Sequence, residues 1–104
     1  MAKRKAKYPV AGVTDLREIL EEQNFLCALT GDNLTPDNTT FDHIKPLSKG
    51  GSSLKENLQA VTKQSNLCKS NQEMQDFLDL CYKILKFKGK EYGYSVRKIG
   101  KTKK

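Results

Sequence analysis

Two short β-rich segments, with a polar loop between them and a helical pattern directly after them, place the strongest constraint on the fold of this chain. Residues 39–44 alternate in the manner of a strand, and residues 57–62 form a second strand candidate. The loop around residues 48–53 is too polar and too flexible to pack. Residues 63–69 then predict a short helix. This order of strand, loop, strand and helix predicts an α+β fold built on a long-looped hairpin.

Longer helices are predicted on both sides of this region. Thr14 is predicted to be the N-cap of a helix over residues 14–24. Residues 70–73 have the capping-box pattern of a helix that begins near Asn71 and ends at residues 87–89. The two helices are expected to carry the core against the hairpin. Their apolar stripes are Leu16, Ile19 and Leu20 in the first helix, and Met74, Phe77, Leu78, Cys81, Ile84 and Leu85 in the second.

Length and composition predict one small domain over residues 1–104, with a core at about 14–87, because a second domain would have almost no core of its own. No apolar run approaches the roughly 18 residues of a membrane span, and the N-terminal bases are not followed by a signal-like apolar stretch. The three cysteines are too few for a disulfide scaffold. These features predict a cytoplasmic protein without a membrane partner.

Basic residues are concentrated at the two ends of the chain. Residues 1–9 hold four basic residues and no acidic residue, and residues 83–104 hold nine basic residues and one acidic residue. The ends together carry +12, so residues 10–82 carry −5 of the total of +7. A basic arm at residues 1–9 and a basic tail at 88–104 suit a polyanionic partner, although such tails can also serve only solubility. Residues that could stack on bases or contact phosphates in the tail are Tyr92, Tyr94, Arg97 and Lys98.

The strand region contains the only histidine of the chain, His43, directly after Asp42. Asn57 falls 15 residues after Asp42, Asn66 falls nine after Asn57, and Lys69 falls three after Asn66. This pattern resembles the core of the HNH (His-Asn-His) endonucleases, whose metal site is a β-hairpin packed on a helix, the ββα-metal fold. The resemblance covers about residues 25–71 and includes Cys27–Gly31, Asp42, His43, Ile44, Pro46, Gly50, Gly51, Asn57, Leu58, Gln59, Asn66 and Lys69.

The resemblance implies a metal-dependent endonuclease or nicking enzyme that hydrolyses phosphodiester bonds of DNA, with duplex DNA as the expected partner. His43 would be the general base, a role that suits a side chain titrating near neutrality. Asp42 and Asn66 would be the metal ligands. Asn57 would hydrogen-bond across the hairpin and hold the loop that bears His43. Small members of this family often resemble phage or mobile-element nucleases.

Two positions depart from the common family pattern or have a second interpretation. Asn66 stands where the family often has His, and its neutral amide oxygen makes Mg²⁺ or Mn²⁺ a better fit than Zn²⁺ or Ni²⁺. Asn66 could equally be a helix N-cap, and the two roles are compatible. Lys69 matches a lysine of the family helix and is expected to contact phosphate. Lys45 and Lys49 are expected to contact phosphate too, or else to be solvated surface.

Many family members brace the fold with a zinc ion bound by two CxxC pairs. The corresponding positions here are Cys27, Thr30, Thr62 and Ser65, so only one thiol remains and the sequence predicts no structural zinc. Cys68 and Cys81 are predicted to be small buried apolar residues.

Two other functions are compatible with the sequence. A catalytically silent DNA-binding module would keep the fold and bind through its basic ends. A small basic RNA-associated protein would use the same ends, and the pattern over residues 42–69 would then be a coincidence. The intact Asp42, His43 and Asn66 positions favour the nuclease.

Overall fold

The computed structural model describes residues 9–100, which fall into two compact units, residues 9–73 and 74–100. The basic arm and residues 101–104 of the tail lie outside the described residues, apart from Pro9. The prediction of a single domain over the whole chain stays a prediction. Within residues 9–100, no helix combines the length and the apolar composition that a membrane span requires. The elements are α1 (Val13–Glu22), β1 (Thr39–His43), β2 (Leu58–Thr62) and α2 (Lys63–Lys69) in the first unit, and α3 (Met74–Lys88) in the second.

The first unit is a hairpin packed between two helices. Strands β1 and β2 are antiparallel, with Thr39 opposite Thr62 and His43 opposite Leu58. Helix α2 begins directly after β2 and packs against both strands, and α1 packs against β2. Ala60 and Val61 of β2 are fully buried. The predicted α+β fold, with strand, strand and helix in ββα order, is confirmed.

Helix α1 begins one residue before the predicted N-cap. Gly12, rather than Thr14, is the N-cap, and its N–H donates to the Asp15 carboxylate at 3.0 Å. An acid at this position of the first turn accepts a hydrogen bond from the N-cap backbone, so the helix needs no hydroxyl there. Ile19 is buried and Leu16 and Leu20 are half-buried, as the predicted stripe requires.

Helix α3 begins at Met74 and not near Asn71, and it ends at Lys88 as predicted. Ser70 does not cap α3, because it closes α2 with a positive φ of 55° and its N–H donates to the Asn66 carbonyl oxygen. No residue of α3 is buried, and Leu78 is half exposed. The predicted packing of this helix against the hairpin stays a prediction.

The four positions that correspond to the family's zinc ligands meet around the sulfur of Cys27, where Cys27, Thr62 and Ser65 are buried and Thr30 is exposed. The Cys27 sulfur accepts backbone N–H hydrogen bonds from Thr62 at 3.3 Å and from Leu29 and Thr30 at 3.4 Å. Ser65 Oγ lies 3.5 Å from the same sulfur and 2.8 Å from Thr62 Oγ1. A network of hydrogen bonds therefore joins the 27–30 turn to the start of α2. Cys68, in contrast to the prediction, is exposed, because the buried positions of α2 are Ser65 and Lys69.

The hydrogen bonds around Cys27 determine how its thiol titrates. Burial raises the pKa of the Cys27 thiol, but the hydrogen bonds from Thr30, Ser65, Thr62 and Leu29 outweigh burial and lower it from 9.0 to about 6. The folded state therefore favours the thiolate relative to the unfolded state.

This shift predicts a pH-dependent stability that belongs to Cys27. The unfolded chain binds more protons than the folded chain between the two pKa values, so stability rises with pH in that window. The contribution should be complete above about pH 9 and should disappear as the pH falls through about 6. Urea unfolding of the wild type and of Cys27→Ser across this range measures the difference. Cys68→Ser, which changes an exposed thiol, is the control and should follow the wild type. Parallel curves for wild type and Cys27→Ser would contradict the prediction.

Candidate active site

A cleft of about 350 Å³ lies in the first unit at the end of β1. Strand β1 contributes Asp42 and His43, and helix α2 contributes Asn66. The structure thus brings three of the predicted site residues together. The lining residues are Phe41, Asp42, His43, Pro46, Leu47, Ser48, Asn66, Ser70 and Asn71.

Asp42 forms a buried ion pair with Lys69. The Lys69 side chain has no exposed area and Asp42 is 5% exposed, and Lys69 Nζ lies 3.1 Å from Asp42 Oδ2. The same ammonium donates to the His43 carbonyl oxygen at 3.3 Å. Lys69 is therefore not placed to contact phosphate, in contrast to the prediction. Lys69 lies one helical turn after the buried Ser65, on the face of α2 that packs against the hairpin.

Gln59 completes the surroundings of Asp42. The strand register places Gln59 opposite Asp42, and its Nε2 donates to Asp42 Oδ2 at 2.9 Å. A buried charge is tolerated when it is paired and its remaining lone pairs are hydrogen-bonded. Within residues 9–100, no buried side-chain nitrogen or oxygen lacks a hydrogen-bond partner. The sequence shows Gln59 only as part of a motif, because its role depends on the register of the hairpin.

His43 is half-buried and makes one side-chain hydrogen bond within the part of the chain that the structure describes. Its Nε2 lies 3.0 Å from Ser53 Oγ. Ser53 was not among the predicted site residues, since a serine in a polar loop carries no specific signal. Nδ1 has no protein hydrogen-bond partner among residues 9–100, and His43 lines the cleft.

The predicted hydrogen bonds of Asn57 across the hairpin are present. Its Nδ2 donates to the carbonyl oxygens of Ser52 at 2.7 Å and of Lys45 at 3.0 Å, and its Oδ1 accepts from the Lys45 N–H at 2.9 Å. The backbone carbonyl of Asn57 also accepts from the Ile44 N–H at 2.8 Å. One side chain therefore closes the loop between the strands at its base.

The second half of the loop between β1 and β2 is packed, since residues 51–53 are half-buried while residues 48–50 are exposed; the prediction that residues 48–53 do not pack is therefore wrong for residues 51–53. Two short 3₁₀ turns, Leu47–Lys49 and Lys55–Asn57, interrupt it. The Gly51 N–H donates to the Pro46 carbonyl oxygen at 3.0 Å. A Cβ at Gly51 would lie 1.9 Å from the Lys45 carbonyl oxygen and 2.8 Å from Asn57 Nδ2. Backbone hydrogen bonds and this close approach order a segment whose side chains are polar.

Asn66 lies inside α2, so the alternative that it caps a helix is wrong; Thr62 is the N-cap and accepts from the Ser65 N–H at 3.2 Å. The Asn66 amide is half-buried, lines the cleft, and has no side-chain hydrogen bond to the described residues. Its oxygen is therefore free to bind a ligand.

The donors in the cleft fit a hard cation. Asp42 offers a carboxylate and Asn66 an amide oxygen, and residues 9–100 contain no cluster of three or more His, Cys, Asp or Glu that could hold a metal. Mg²⁺ commonly takes one or two protein oxygens and fills its other positions with water and substrate phosphate. The pair of oxygens suits that mode, whereas protein Zn²⁺ sites usually have three or four side-chain ligands, mostly His and Cys.

The remaining predicted nucleic-acid contacts lie on exposed surface. Lys45 and Lys49 are exposed on the loop of the first unit. Arg97 and Lys98 are exposed in the second unit, where Lys98 Nζ lies 5.3 Å from the centroid of the Tyr82 ring.

Comparisons with known proteins agree with this geometry. Residues 26–72 match the family described as HNH endonuclease. The structure is similar to part of the crystal structure of the type II-C Cas9 enzyme from Actinomyces naeslundii, with a TM-score of 0.59 and 29% identity. The similarity covers 74% of this chain but 8% of that chain. No curated protein matches the sequence. The resemblance to the HNH endonucleases is thus confirmed over residues 26–72.

The packing of the loop predicts a cost for any side chain at position 51. Gly51→Ala would force Cβ against the Lys45 carbonyl and the Asn57 amide, so we expect a loss of about 1–3 kcal/mol in the free energy of unfolding. Gly12→Ala is the comparison variant, because a Cβ there meets nothing within 4 Å and only the poorer N-cap preference of Ala at α1 is added, so its loss should be the smaller of the two. Urea unfolding measures both variants. Equal unfolding midpoints for the two variants would contradict the packing described for this loop.

Proposed function

We propose that this chain, whose residues 26–72 match the HNH endonucleases, is a metal-dependent endonuclease or nicking enzyme that hydrolyses phosphodiester bonds of DNA. One observation carries the proposal. His43, Asp42 and Asn66 line a single cleft, and their side chains are the base and the two oxygen ligands that such a hydrolysis needs.

His43 is the general base of the proposed reaction. It takes a proton from a water molecule in the cleft while the water oxygen forms a bond to phosphorus. The bond between phosphorus and the leaving 3′-oxygen breaks, and that oxygen takes a proton from solvent. The products carry a 5′-phosphate and a 3′-hydroxyl. A neutral imidazole can act in this way near pH 7.

Asp42 and Asn66 would hold the cation, for which Mg²⁺ or Mn²⁺ is the best fit. When bound, a divalent cation supplies charge neutralisation at the scissile phosphate and the leaving oxygen. Lys69 and Gln59 keep the Asp42 carboxylate in a fixed orientation through their contacts with its oxygens. Asn57 keeps the loop after His43 closed.

Duplex DNA is the proposed substrate, and exposed basic side chains support this proposal. Lys45 and Lys49 extend from the loop beside the cleft, and Arg97 and Lys98 are exposed in the second unit. Contacts of this kind bind the phosphate backbone without reading its sequence.

One observation favours a second candidate, a DNA-binding module without catalysis. Lys69 already neutralises Asp42, and both carboxylate oxygens lie within 3.3 Å of its Nζ. A cation in the cleft would share this carboxylate with an ammonium group. If Asp42 does not accept a second cation, the fold would bind DNA and leave it intact.

Cleavage of supercoiled plasmid separates the two candidates. We expect nicking or linearisation with Mg²⁺ or Mn²⁺ and none with EDTA. His43→Ala should reduce the rate by roughly two to four orders of magnitude, the scale of a lost general base. DNA binding by the variant and its unfolding midpoint should stay close to the wild type. EDTA should leave the unfolding midpoint unchanged, because no zinc is expected at Cys27.

Two outcomes would contradict this assignment. Cleavage by His43→Ala at the wild-type rate would exclude His43 as the base. DNA binding without cleavage under any divalent cation would support the silent module instead.

The exposed basic side chains predict how strongly DNA binding depends on salt concentration. If Arg97 and Lys98 each contact one phosphate, changing both to Gln should flatten the slope of log K against log salt by about 1.8. Changing both Lys45 and Lys49 to Gln should flatten the slope by the same amount if each contacts one phosphate. Lys55→Gln is the control, because its ammonium already bonds Glu18 and Glu22, and its slope should match the wild type. Fluorescence anisotropy with a labelled duplex measures the slopes. A pair whose slope equals that of the control does not contact the backbone.

A further inference from the structure

Ser53 is the one side chain among the described residues that hydrogen-bonds the imidazole of His43. We propose that Ser53 is a positioning residue: it accepts a hydrogen bond from His43 Nε2–H, which fixes the ring and leaves Nδ1 as the atom that takes the proton from water. This inference rests on the proposed function, and it adds both a residue and an atom to it.

The choice of ring nitrogen follows from the two possible directions of this hydrogen bond. A neutral imidazole has one N–H and one basic nitrogen. If the Ser53 hydroxyl donated to Nε2, Nδ1 would carry the proton and the ring would have no base for the cleft. If Nε2–H donates to Ser53 Oγ, Nδ1 is the basic atom.

The second direction also suits the protonated state of the reaction. After Nδ1 takes a proton, both ring nitrogens are donors, and Ser53 Oγ still accepts from Nε2–H. The contact therefore needs no rearrangement during the proton transfer, which is the property expected of a preorganised site. Ser53 Oγ makes no other hydrogen bond to the residues that the structure describes, so nothing in the protein opposes this direction.

The backbone that carries the Ser53 hydroxyl is held from two sides. The Ala11 N–H donates to the Ser53 carbonyl oxygen at 2.8 Å, and Val10 forms a parallel bridge with Ser53. On the other side, the preceding carbonyl, that of Ser52, accepts from Asn57 Nδ2 at 2.7 Å. A short segment after the basic arm thus supports the residue that holds His43.

Nitrogen NMR on the full-length, metal-free protein tests the contact directly. His43 is the only histidine, so its two ring nitrogens are the only imidazole signals. At a pH above which the two ring signals no longer change, we expect a protonated Nε2 and an unprotonated Nδ1 in the wild type. Ser53→Ala should shift both signals toward a mixture of the two forms. Ser53→Thr, which keeps the hydroxyl, should retain the wild-type pattern.

Plasmid cleavage tests the consequence. Ser53→Ala should lower kcat by roughly 10- to 100-fold, the scale seen when a partner that orients a histidine is lost, and leave KM nearly unchanged. Ser53→Thr should recover most of kcat. Ser52→Ala controls for loosening of the loop, because the Ser52 hydroxyl accepts from the Leu54 N–H and makes no contact with His43. The imidazole signals of His43 in Ser52→Ala should match those of the wild type.

Three results would overturn the proposal: a wild-type imidazole protonated on Nδ1, Ser53→Ala with wild-type signals and kcat, or Ser52→Ala with the same loss of kcat as Ser53→Ala. Failure of the proposed function is distinguishable from these. A wild-type chain that cleaves no DNA would overturn the nuclease assignment, while the NMR comparison would still decide whether Ser53 selects the form of the ring.

Discussion

The buried ion pair between Asp42 and Lys69 is the interaction on which the site depends. It joins the last turn of α2 to the end of β1, and the same ammonium holds the backbone carbonyl of His43. Breaking a buried pair by removing one partner typically costs about 3–5 kcal/mol, because the other charge is left uncompensated. The helix that carries Asn66 and the strand that carries His43 therefore keep one arrangement, in which the side chains of Asp42, His43 and Asn66 line the same cleft.

A second stabilising interaction, the hydrogen-bond network around Cys27, lies at the opposite end of α2. Where many relatives use a metal ion, this chain uses the sulfur of Cys27 as an acceptor for backbone N–H groups, with Ser65 and Thr62 completing the network. A zinc ion joins its ligands through strong bonds to thiolates, whereas these hydrogen bonds are individually modest, each contributing about 0.5–1.5 kcal/mol. The stability of the region around Cys27 is thus distributed over several small contacts, and it changes with pH through the Cys27 thiol.

The order of elements and the position of α2 were predicted from strand alternation and helical spacing, which are local signals. The convergence of Asp42, His43 and Asn66 on one cleft was expected from the resemblance to the HNH endonucleases and not from alternation, which alone puts Asp42 and His43 on opposite faces. The sequence did not predict the burial of Lys69, which depends on the direction in which α2 crosses the hairpin. The role of Ser53 and the tight packing at Gly51 were missed for a related reason. Both depend on contacts with residues several positions away in a loop whose composition resembles that of a mobile segment. The start of α1 differed because Gly12 is its N-cap and donates to Asp15, and the start of α3 differed because Ser70 closes α2 instead of capping α3.

Gln23, just after α1, has a consequence for the behaviour of the chain in concentrated solution. Its side-chain amide accepts from the Ala60 N–H at 2.9 Å and donates to the Ala60 carbonyl oxygen at 2.9 Å, while the Ala28 N–H donates to the same carbonyl at 3.0 Å. The amide makes the two hydrogen bonds to Ala60 that a strand paired with the outer edge of β2 would make. A two-stranded sheet with open edges is a template on which other chains can add strands and aggregate. One glutamine therefore occupies the outward hydrogen-bonding groups of Ala60, so a strand added at this edge would have to displace the Gln23 side chain before it could pair there.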